Sequence, residues 1–513
     1  MTVESYRDLK DGQEFDFVIV GSGFGGSVSA LRLAEKGYSV AVLESGRHYR
    51  DEDFAKSNWD LPRYLWAPKF FLYGIQRLTL LKDILILSGA GVGGGSLVYA
   101  NTLLEPGEAF YGSPEARRID PDLRARLRPF YETAKRMLGA ARVPKLFPAD
   151  EVLREVAREM GREETFRAVD AGVFFGEPGK EVGDPYFDGA GPKRAGCIFC
   201  GGCMVGCRHN AKNTLMKNYL YLALAAGARV FSLATATRVE EREGGGFSLR
   251  VRRSGWGLTK KTIVARNLVL SAGVLGTLRL LLKPETKLPK LSTRVGRDVR
   301  TNSEELSGSS ARSGAVDWSQ GLAITSGMWP DEVTHVEAVR YSEGSDAMSF
   351  LAGRAPGTSL ADTLRLFWPF GWAKRSTILL FMQTLDSRLR VRLKARRLTT
   401  EPEEGSAPPP RELPVAAKVL SSFARKTDGI AQVSLAGKLL GVSTTAHILG
   451  GAVIGRNAEE GVVGLDGKAF GYDDLWILDG TIVPGNLGVN PSLTITALAE
   501  HAMSLVRRKG GAA

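Results

Sequence analysis

Short apolar runs and amphipathic stretches alternate along the 513-residue chain. Residues 17–20 are uninterrupted apolar positions, which is typical of a parallel strand covered on both faces. Apolar residues at helical spacing follow, and residues 39–43 form a second apolar run. Residues 16–44 are therefore predicted to form strand, turn, helix and strand. Residues 267–283 repeat the strand, small-residue turn and helix, so one sheet would be built from separated pieces of chain.

The middle of the chain shows other patterns. Residues 387–397 alternate basic and apolar side chains, which predicts a half-buried strand with a solvated basic face. In residues 334–341, His335 and Glu337 lie two positions apart, so a strand would point both to one face. Residues 114–160 predict amphipathic helices that cover the core, residues 213–228 predict a helix, and residues 399–413 predict an exposed, acidic and Pro-rich loop.

The charged residues do not change the predicted elements, but they indicate the character of the surface. Lys and Arg total 68 against 56 Asp and Glu, a net charge of +12. The excess positive charge is spread along the chain and is not accompanied by a recognised nucleic-acid-binding module, so we expect no nucleic-acid partner. We do expect some affinity for an anionic membrane surface. The N-terminal segment is polar and no apolar segment approaches a bilayer span, so the protein is expected to be cytoplasmic, with peripheral membrane contact as a further option.

Glycines mark two candidate cofactor contacts. Gly21, Gly23 and Gly26 follow the first strand as G-x-G-x-x-G, a pattern that turns sharply, exposes bare backbone to a pyrophosphate and packs a helix closely. Glu44 ends the next strand, where a carboxylate accepts hydrogen bonds from a ribose, which favours an unphosphorylated adenosine as in NAD or FAD over NADP. Residues 88–106 contain five more glycines. They indicate either a cofactor lying on the backbone or two closely packed segments.

Aromatic residues crowd the connection at residues 50–81. They are Phe54, Trp59, Tyr64, Trp66, Phe70, Phe71 and Tyr73. A long aromatic connection beside a nucleotide-binding unit is a candidate lid over an apolar site. The alternative is that these rings cover a hydrophobic core.

All four cysteines, Cys197, Cys200, Cys203 and Cys207, fall in one short run. Their C-x2-C-x2-C-x3-C spacing is that of a bacterial ferredoxin cluster, although there the fourth cysteine serves another cluster, and this chain has no further cysteines. Three interpretations follow: a single [4Fe-4S] cluster, completed by His209 or by a strained local Cys207; a tetrahedral zinc; or a structural group of thiols or disulfides.

The C-terminal part carries candidate chemistry. His447 precedes the paired Gly450 and Gly451, and Asn490 stands where the last predicted helix begins. A neutral imidazole can take a hydroxyl proton, and an amide can hold the oxygen while hydride leaves. This pair is what the oxidation of an alcohol requires.

With these motifs in place, the chain resembles the glucose-methanol-choline (GMC) oxidoreductase family and within it is similar to the cholesterol oxidase-like branch. The segments that carry the resemblance are GSGFGGSVSALRLAEKGYSVAVLESG, GAGVGGGSLV, SAGVLGT, HILGG and DGTIVPGNLGVNPSLTITALAE. They occur in the family's order over nearly the whole chain. One departure is Tyr99, Ala100 and Asn101, where cholesterol oxidases have Asn-Gly-Gly.

The resemblance implies FAD and a set of site residues. The implied cofactor contacts are Gly21, Gly23, Gly26, Glu44, Gly94, Gly95, Val239 at the adenine, Asp479, Gly480 and Asn490. It makes His447 and Asn490 the catalytic pair. It also calls for a glutamate that moves a steroid double bond, for which Glu337 is the candidate.

The implied fold is α/β, with a discontinuous FAD-binding Rossmann-like domain and an α+β substrate domain that has an antiparallel sheet. We expect the FAD domain in residues 1–110, 205–310 and 440–513, helical cover with the cysteines in 111–204, and the substrate domain in 311–439.

The expected function is FAD-dependent oxidation of a lipophilic, sterol-like alcohol, with O2 or another redox acceptor. Two alternatives stay open. One is a long-chain or terpenoid alcohol dehydrogenase that passes electrons to a quinone or a redox protein, and the other is a non-catalytic flavin or electron-transfer component.

Overall fold

The 16–44 segment folds as its apolar pattern predicts. In the computed structural model, which describes residues 2–410 and 412–510, Gln13–Val20 and Val40–Leu43 are adjacent parallel strands. Phe24–Glu35 is the helix between them. Residues 15–20 are all buried, because the sheet is covered on both faces.

The regular elements are numbered in chain order. The strands are β1 (Glu4–Ser5), β2 (Gln13–Val20), β3 (Val40–Leu43), β4 (Trp66–Ala67), β5 (Leu72–Tyr73), β6 (Gln76–Leu80), β7 (Ile84–Gly89), β8 (Ala140–Arg142), β9 (Arg167–Ala168), β10 (Asp170–Gly172), β11 (Glu181–Val182), β12 (Arg194–Ala195), β13 (Arg229–Ser232), β14 (Ala234–Glu241), β15 (Phe247–Arg253), β16 (Lys260–Leu270), β17 (Glu305–Ala311), β18 (Ile324–Met328), β19 (Thr334–Val339), β20 (Ala352–Arg354), β21 (Ser376–Gln383), β22 (Leu389–Lys394), β23 (Arg397–Pro402), β24 (Gly429–Ser434), β25 (Ser443–Thr445) and β26 (Leu475–Ile477). The α-helices are α1 (Phe24–Glu35), α2 (Leu61–Tyr64), α3 (Glu108–Tyr111), α4 (Pro114–Ile119), α5 (Leu123–Leu138), α6 (Pro148–Glu159), α7 (Tyr219–Ala225), α8 (Val274–Leu281), α9 (Leu360–Phe367), α10 (Trp372–Arg375), α11 (Pro414–Lys426), α12 (Leu435–Leu440) and α13 (Ser492–Ser504).

The largest sheet collects strands from distant parts of the chain. Its order is β1-β13-β3-β2-β16-β15-β14, and β26 pairs in parallel with the end of β16. Helix α1 packs against α7 and α13, and α13 packs against α5. The predicted Rossmann-like sheet, built from separated segments, is therefore confirmed.

The second sheet is antiparallel at the strand pairs that form it and has the order β20-β24-β17-β21-β19-β18-β9. Helices α6 and α11 cover one face with an apolar cluster of their own. The predicted antiparallel sheet is thus present. Strand β17 starts a few residues before position 311, and β9 and α6 come from the predicted cover segment, so three parts of the chain build this sheet.

Two local predictions need correction. The predicted helix at residues 213–228 is a 3₁₀ turn, Leu215–Lys217, followed by the shorter α7, because the Asn218 side chain caps α7 by accepting the Tyr219 N–H. The predicted loop at 399–413 begins inside β23, which pairs with β22; Arg411 lies outside the described residues. Within residues 2–410 and 412–510, no helix combines the length and apolar composition needed to cross a membrane.

Candidate active site

The first glycine turn needs glycine for two different reasons. Gly21 has a φ of 102°, and a Cβ on it would lie 2.1 Å from the Ser271 carbonyl oxygen. A Cβ on Gly26 would lie 2.1 Å from the Gly21 oxygen. A Cβ on Gly23 would meet no atom of the described residues within 4 Å, apart from its chain neighbours. Gly21 and Gly26 therefore serve close packing, whereas Gly23 borders open space at the N-terminus of α1.

The second glycine cluster lies directly on the first turn. Gly94 has a φ of 52°, and a Cβ on it would lie 2.7 Å from the Gly23 Cα. The Gly93 N–H donates to Ser22 Oγ at 3.0 Å. Among the described residues, a Cβ on Gly95 would meet the Phe24 ring alone, at 3.7 Å. Close packing thus explains Gly94, while Gly95 also faces free space.

Glu44 is buried at the end of β3 and holds the glycine turn. Its carboxylate accepts hydrogen bonds from Ser22 Oγ at 2.6 Å and from the Gly46 N–H at 2.7 Å. The predicted contact between Glu44 and a ribose stays a prediction, and it has to share this carboxylate with the turn.

Val239 lies further along β14 than the residues that meet β3. The start of β14 meets β3, where the Ala234 N–H donates to the Glu44 carbonyl at 2.7 Å. Val239 lies five residues further along the strand, about 16 Å away at 3.3 Å per residue. Its side chain is fully buried in the main core, and its carbonyl accepts the Lys287 N–H. The predicted contact between Val239 and the adenine stays a prediction.

Asp479 and Gly480 connect β26 to the segment that carries His447. Burial raises the pKa of the Asp479 carboxyl, which accepts hydrogen bonds from Thr277 Oγ1 at 2.6 Å and the Thr481 N–H at 2.9 Å. The Gly480 carbonyl accepts the Gly450 N–H at 2.9 Å. The C-terminal loop and the His447 segment therefore lie side by side.

His447 is held by a buried carboxylate that the sequence did not reveal. Its Nδ1 is hydrogen-bonded to Glu304 Oε1, and the Ala446 N–H donates to Glu304 Oε2 at 2.8 Å. The Glu304 side chain is completely buried. Burial alone would lower the pKa of His447, but the charge and hydrogen bond of Glu304 raise it. With Nδ1 occupied, Nε2 is the ring nitrogen left to face a substrate.

Asn490 and Glu337 form a second pair at the same site. Asn490 Nδ2 donates to Glu337 Oε2 at 3.1 Å, and both side chains are buried. Burial raises the pKa of Glu337 to about 7, against the hydrogen bond from Asn490 and the charge of His447, while the charge of Glu304 adds to the rise. Glu337 therefore lies near enough to the His447–Glu304 pair to respond to both charges.

His335 shares the inner face of β19 with Glu337, as their spacing predicts. Its Nδ1 lies 3.9 Å from Glu337 Oε1, and its ring stacks on Trp329 at a centroid distance of 4.0 Å. Burial, with the charge of Arg167, lowers the pKa of His335 to about 3. The imidazole is therefore neutral and cannot supply a charge to Glu337.

The segment from Thr301 to Glu304 joins the two halves of the site. Asn302 Oδ1 accepts the Gly488 N–H at 2.9 Å, and its Nδ2 donates to the Val489 carbonyl at 3.0 Å, just before Asn490. Thr445 Oγ1 donates to the Thr301 carbonyl at 2.9 Å, just before His447. In sequence this segment is a polar run typical of an exposed loop. No pattern in the sequence around it predicted that it would be buried.

Unpaired polar atoms mark the inner end of the site. Both polar atoms of the fully buried Asn101, Thr102 Oγ1, Asn490 Oδ1 and Glu337 Oε1 have no hydrogen-bond partner among the described residues. The Thr102 carbonyl lies 3.5 Å from Ser492 Oγ at the start of α13. Buried polar groups are nearly always paired, so these atoms point to a ligand with donors and acceptors. Together with the free space at Gly23, residues 94–102 fit an extended dinucleotide such as FAD.

The four cysteines line one cavity of about 460 Å³, together with His209 and Asn101. All four are free thiols, and burial raises the pKa of Cys203 to about 11. Over the described parts of the chain, no group of three or more His, Cys, Asp or Glu residues is placed to hold a metal ion. The iron–sulfur and zinc interpretations therefore have no support here. Of the structural group of thiols or disulfides that the sequence predicted, the structure contains thiols and no disulfide at these four described residues.

The aromatic residues at 50–81 were predicted either to form a lid over an apolar site or to cover a hydrophobic core. Phe54, Tyr64 and Trp66 are buried, as expected of rings that cover a core. Trp59, Phe70 and Phe71 are exposed, with Phe71 stacked on Trp256 at 6.5 Å. The buried rings fit the interpretation that they cover a core, and the lid stays a prediction for the exposed rings.

Comparison with known proteins extends these observations. Models of the GMC oxidoreductase family match residues 192–296 and 387–499, and a model of an NAD(P)-binding Rossmann-like domain matches residues 19–49. A cholesterol oxidase of Mycobacterium tuberculosis is 45% identical over 533 residues, covering 97% of this chain and 92% of that protein. A cholesterol oxidase of Acinetobacter baumannii is 39% identical over 550 residues, covering 99% and 96%.

Among solved structures, the pyridoxine 4-oxidase of Mesorbium loti superposes with a TM-score of 0.58. The superposition covers 95% of this chain and 98% of the other, at 16% identity. At that identity the likeness concerns the fold alone. The superposition shows that the overall fold is one already seen in a solved structure.

Proposed function

This chain belongs to the GMC oxidoreductase family, and on that premise we propose that it oxidises a lipophilic, sterol-like alcohol with His447 as the base. Family membership makes it an FAD-dependent alcohol oxidase acting on CH–OH donors. FAD, when bound, supplies the hydride acceptor. The observation that carries the proposal is the hydrogen bond between the half-buried His447 and the buried Glu304.

His447 is oriented to take a proton. Because Nδ1 donates to the Glu304 carboxylate in the neutral tautomer, Nε2 carries the lone pair that accepts the hydroxyl proton of the substrate. The imidazolium that forms lies against the Glu304 carboxylate, which stabilises its charge. Glu304 is thus a positioning residue that acts through His447.

Asn490 is suited to hold the substrate oxygen. An amide nitrogen carries two hydrogens. One hydrogen of Asn490 Nδ2 is used by Glu337, which leaves the other for an alcohol or carbonyl oxygen. The bond to Glu337 also fixes the orientation of the amide, so no rotation is needed during the reaction.

Glu337 is suited to move a proton within the bound product. With a pKa of about 7, the carboxyl is present in both protonation states near neutral pH. Such a group can take a proton from one carbon and return it to another, which is what the shift of a steroid double bond requires. Its Oε1 has no partner among the described residues and is available for this step.

The lipophilic class of the substrate is proposed from the two cholesterol oxidases that match nearly the whole chain. We take O2 as the electron acceptor on the same ground. A long-chain or terpenoid alcohol, with a quinone or redox protein as acceptor, is the alternative that the experiment below separates.

The test is flavin reduction without oxygen. FAD-loaded protein is mixed anaerobically with sterols, fatty alcohols and water-soluble sugars, and the flavin absorbance is followed. We expect bleaching by sterols first and prompt reoxidation with peroxide when air is admitted. Bleaching by fatty alcohols only, or failure to reoxidise in air, would favour the alternative. No bleaching by any alcohol would overturn the proposal.

A further inference from the structure

Large apolar side chains are exposed on four segments that are separate in sequence but lie next to one another in the fold. These are residues 59–61, a 3₁₀ helix at Asp346–Leu351, the stretch from α9 to residue 370, and α12. The exposed side chains are Trp59, Leu61, Phe350, Leu360, Leu364, Trp368, Phe370, Leu439 and Leu440. We call them together the α9–α12 face.

In helix α9 the exposed apolar side chains lie on one side of the helix. Leu366 is buried, whereas Leu360 and Leu364 are 77% and 66% exposed and lie four positions apart, on one side of the helix. The helix therefore has one apolar side for the core and a second for something outside. The adjoining Trp368 and Phe370 are also exposed, and their rings form a pair at 5.6 Å.

Hydrogen bonds and ring contacts join the four segments into one surface. Trp59 packs edge-on against Phe350 at 5.7 Å. Asn58, next to Trp59, donates to the Ser345 carbonyl and accepts the Ala347 N–H at the 3₁₀ helix. Both α9 and α12 contact that 3₁₀ helix and β20.

Further bonds fix the ends of the same surface. The Asp346 carboxylate accepts the Gly371 N–H at 3.0 Å, just after Phe370. Lys438 of α12 donates to the Arg354 carbonyl at 2.6 Å. The apolar side chains thus project from segments that hydrogen bonds connect to one another.

The rim of this surface is basic. Arg354, Arg365, Arg375 and Lys438 form no ion pair with a carboxylate of residues 2–410 or 412–510. Most acidic residues nearby are already paired: Asp362 and Asp428 share Arg312, Glu343 pairs with Lys374, and Asp60 pairs with Arg63. The buried carboxylate of Asp346 accepts the Gly371 and Ala373 N–H groups instead. The surface therefore combines exposed apolar groups with a rim of cations that are unpaired within the described residues.

We propose that the α9–α12 face docks on an anionic lipid bilayer. Apolar side chains flanked by Lys and Arg are the composition that lies in a lipid interface, with the apolar groups between the acyl chains and the cations at the headgroups. A second copy of this chain is a poorer occupant, because it would bring another net charge of +12 to the same basic rim.

The position of α12 connects this surface to the candidate active site. Leu440 precedes His447 by seven residues, which span at most about 25 Å even when fully extended. Strand β25 lies within this stretch. A bilayer on the α9–α12 face would thus lie near the base. The purpose of docking rests on the proposed lipophilic substrate, but binding to lipid can be measured without turnover.

The test is co-sedimentation of the FAD-loaded full chain with sucrose-loaded vesicles. One set contains phosphatidylcholine with phosphatidylglycerol and the other contains phosphatidylcholine alone, each at low and high salt. The apolar variant is Leu364→Ser with Trp368→Ser, and the charge variant is Arg365→Gln with Lys438→Gln. Leu505→Ser changes an exposed leucine after α13 and is the matched control. Phe370→Ser, in an exposed loop, replaces the apolar variant if that variant does not fold.

We expect wild type and Leu505→Ser to sediment with anionic vesicles, more weakly at high salt. The charge variant should lose about fivefold in affinity per removed cation. The apolar variant should lose at least about tenfold. All variants should keep wild-type flavin bleaching by a water-dispersed alcohol, so failure of docking is distinguishable from failure of the proposed activity. Absence of wild-type binding to either vesicle, equal binding of the apolar variant, or a concentration-dependent dimer abolished by that variant would overturn the proposal.

Discussion

Asn490 and Glu337 share a hydrogen bond of 3.1 Å inside the protein although 153 positions separate them in the chain. The bond fixes the amide and leaves one carboxylate oxygen of Glu337 without a partner among the described residues. It also joins the loop before α13 to β19 of the antiparallel sheet. The inner wall of the candidate site is therefore made by two parts of the fold that have no local connection.

Glu337→Gln is expected to remove a pH dependence from the stability of the apoprotein. Burial raises the pKa of Glu337 in the folded chain to about 7, so stability from this group is present below its usual pKa and is lost as pH rises through about 7. Glutamine has no such loss. The free energy of unfolding in urea should change in favour of the variant by about 2–3 kcal/mol between pH ~5 and pH ~8. An equal difference at both pH values would contradict the burial argument.

His447→Ala is expected to lower kcat by about 10²–10⁴-fold, because the proton acceptor is lost. Flavin content should stay at the wild-type level, since the predicted adenosine and phosphate contacts are elsewhere. Stopped-flow flavin reduction with the substrate identified by bleaching measures the change. His209→Ala, which alters a half-buried histidine in the cysteine cavity, is the control. Near-normal turnover in His447→Ala would remove His447 from the mechanism.

Glu304→Gln is expected to move the acid limb of the pH–rate profile to lower pH. The carboxylate raises the pKa of His447, and only neutral His447 can accept a proton, so wild-type activity rises as pH increases through that raised pKa. Without the carboxylate, the pKa of His447 falls, so activity begins to rise at a lower pH. The limiting rate should drop about tenfold or more, because the imidazolium loses its counter-charge.

Glu305→Gln is the matched control for that experiment. Glu305 is the next residue in the chain, but its carboxylate accepts the Leu413 N–H instead of contacting His447. Its variant should keep the wild-type pH profile. A profile that stays in place in Glu304→Gln would show that the carboxylate only supports the fold.

Gly23→Ala is expected to fold normally and to lose FAD, whereas Gly21→Ala is expected to be destabilised. Apart from its chain neighbours, a Cβ on Gly23 meets no atom of residues 2–410 or 412–510 within 4 Å, so a pyrophosphate bound at the turn is the group it would collide with. A Cβ on Gly21 collides with Ser271 at 2.1 Å. Melting temperature of the apoproteins and FAD titration separate the two effects. Wild-type FAD affinity in Gly23→Ala would place the cofactor elsewhere.

Four free thiols are expected when the protein is unfolded without reductant, as the structure has no disulfide among its four cysteines. A thiol-specific chromophore in denaturant counts them. Iron content and the visible spectrum of freshly purified protein are measured on the same sample. Fewer than four thiols, or iron with a cluster absorbance, would contradict the thiol state described above.

Much of the cofactor end was predictable because its causes are local. The turn at Gly21 requires a positive φ, the apolar run before it fits a buried strand, and the helix after it shows its own period. The predicted spacing also placed His335 and Glu337 on one strand face. Val239 was not predictable in this way, because its distance from the turn depends on how β14 meets β3.

The residue types along the chain are enough to say which segments can turn, extend or coil, and which side chains are available for catalysis, among them His447 and Asn490. That residues 301–304 are buried, and that Leu366 faces the core while Leu364 faces outward, follows from the packing of the folded chain. Backbone preference acts over a few residues, whereas the burial of a carboxylate and the pairing of an amide depend on what distant segments bring to the same point.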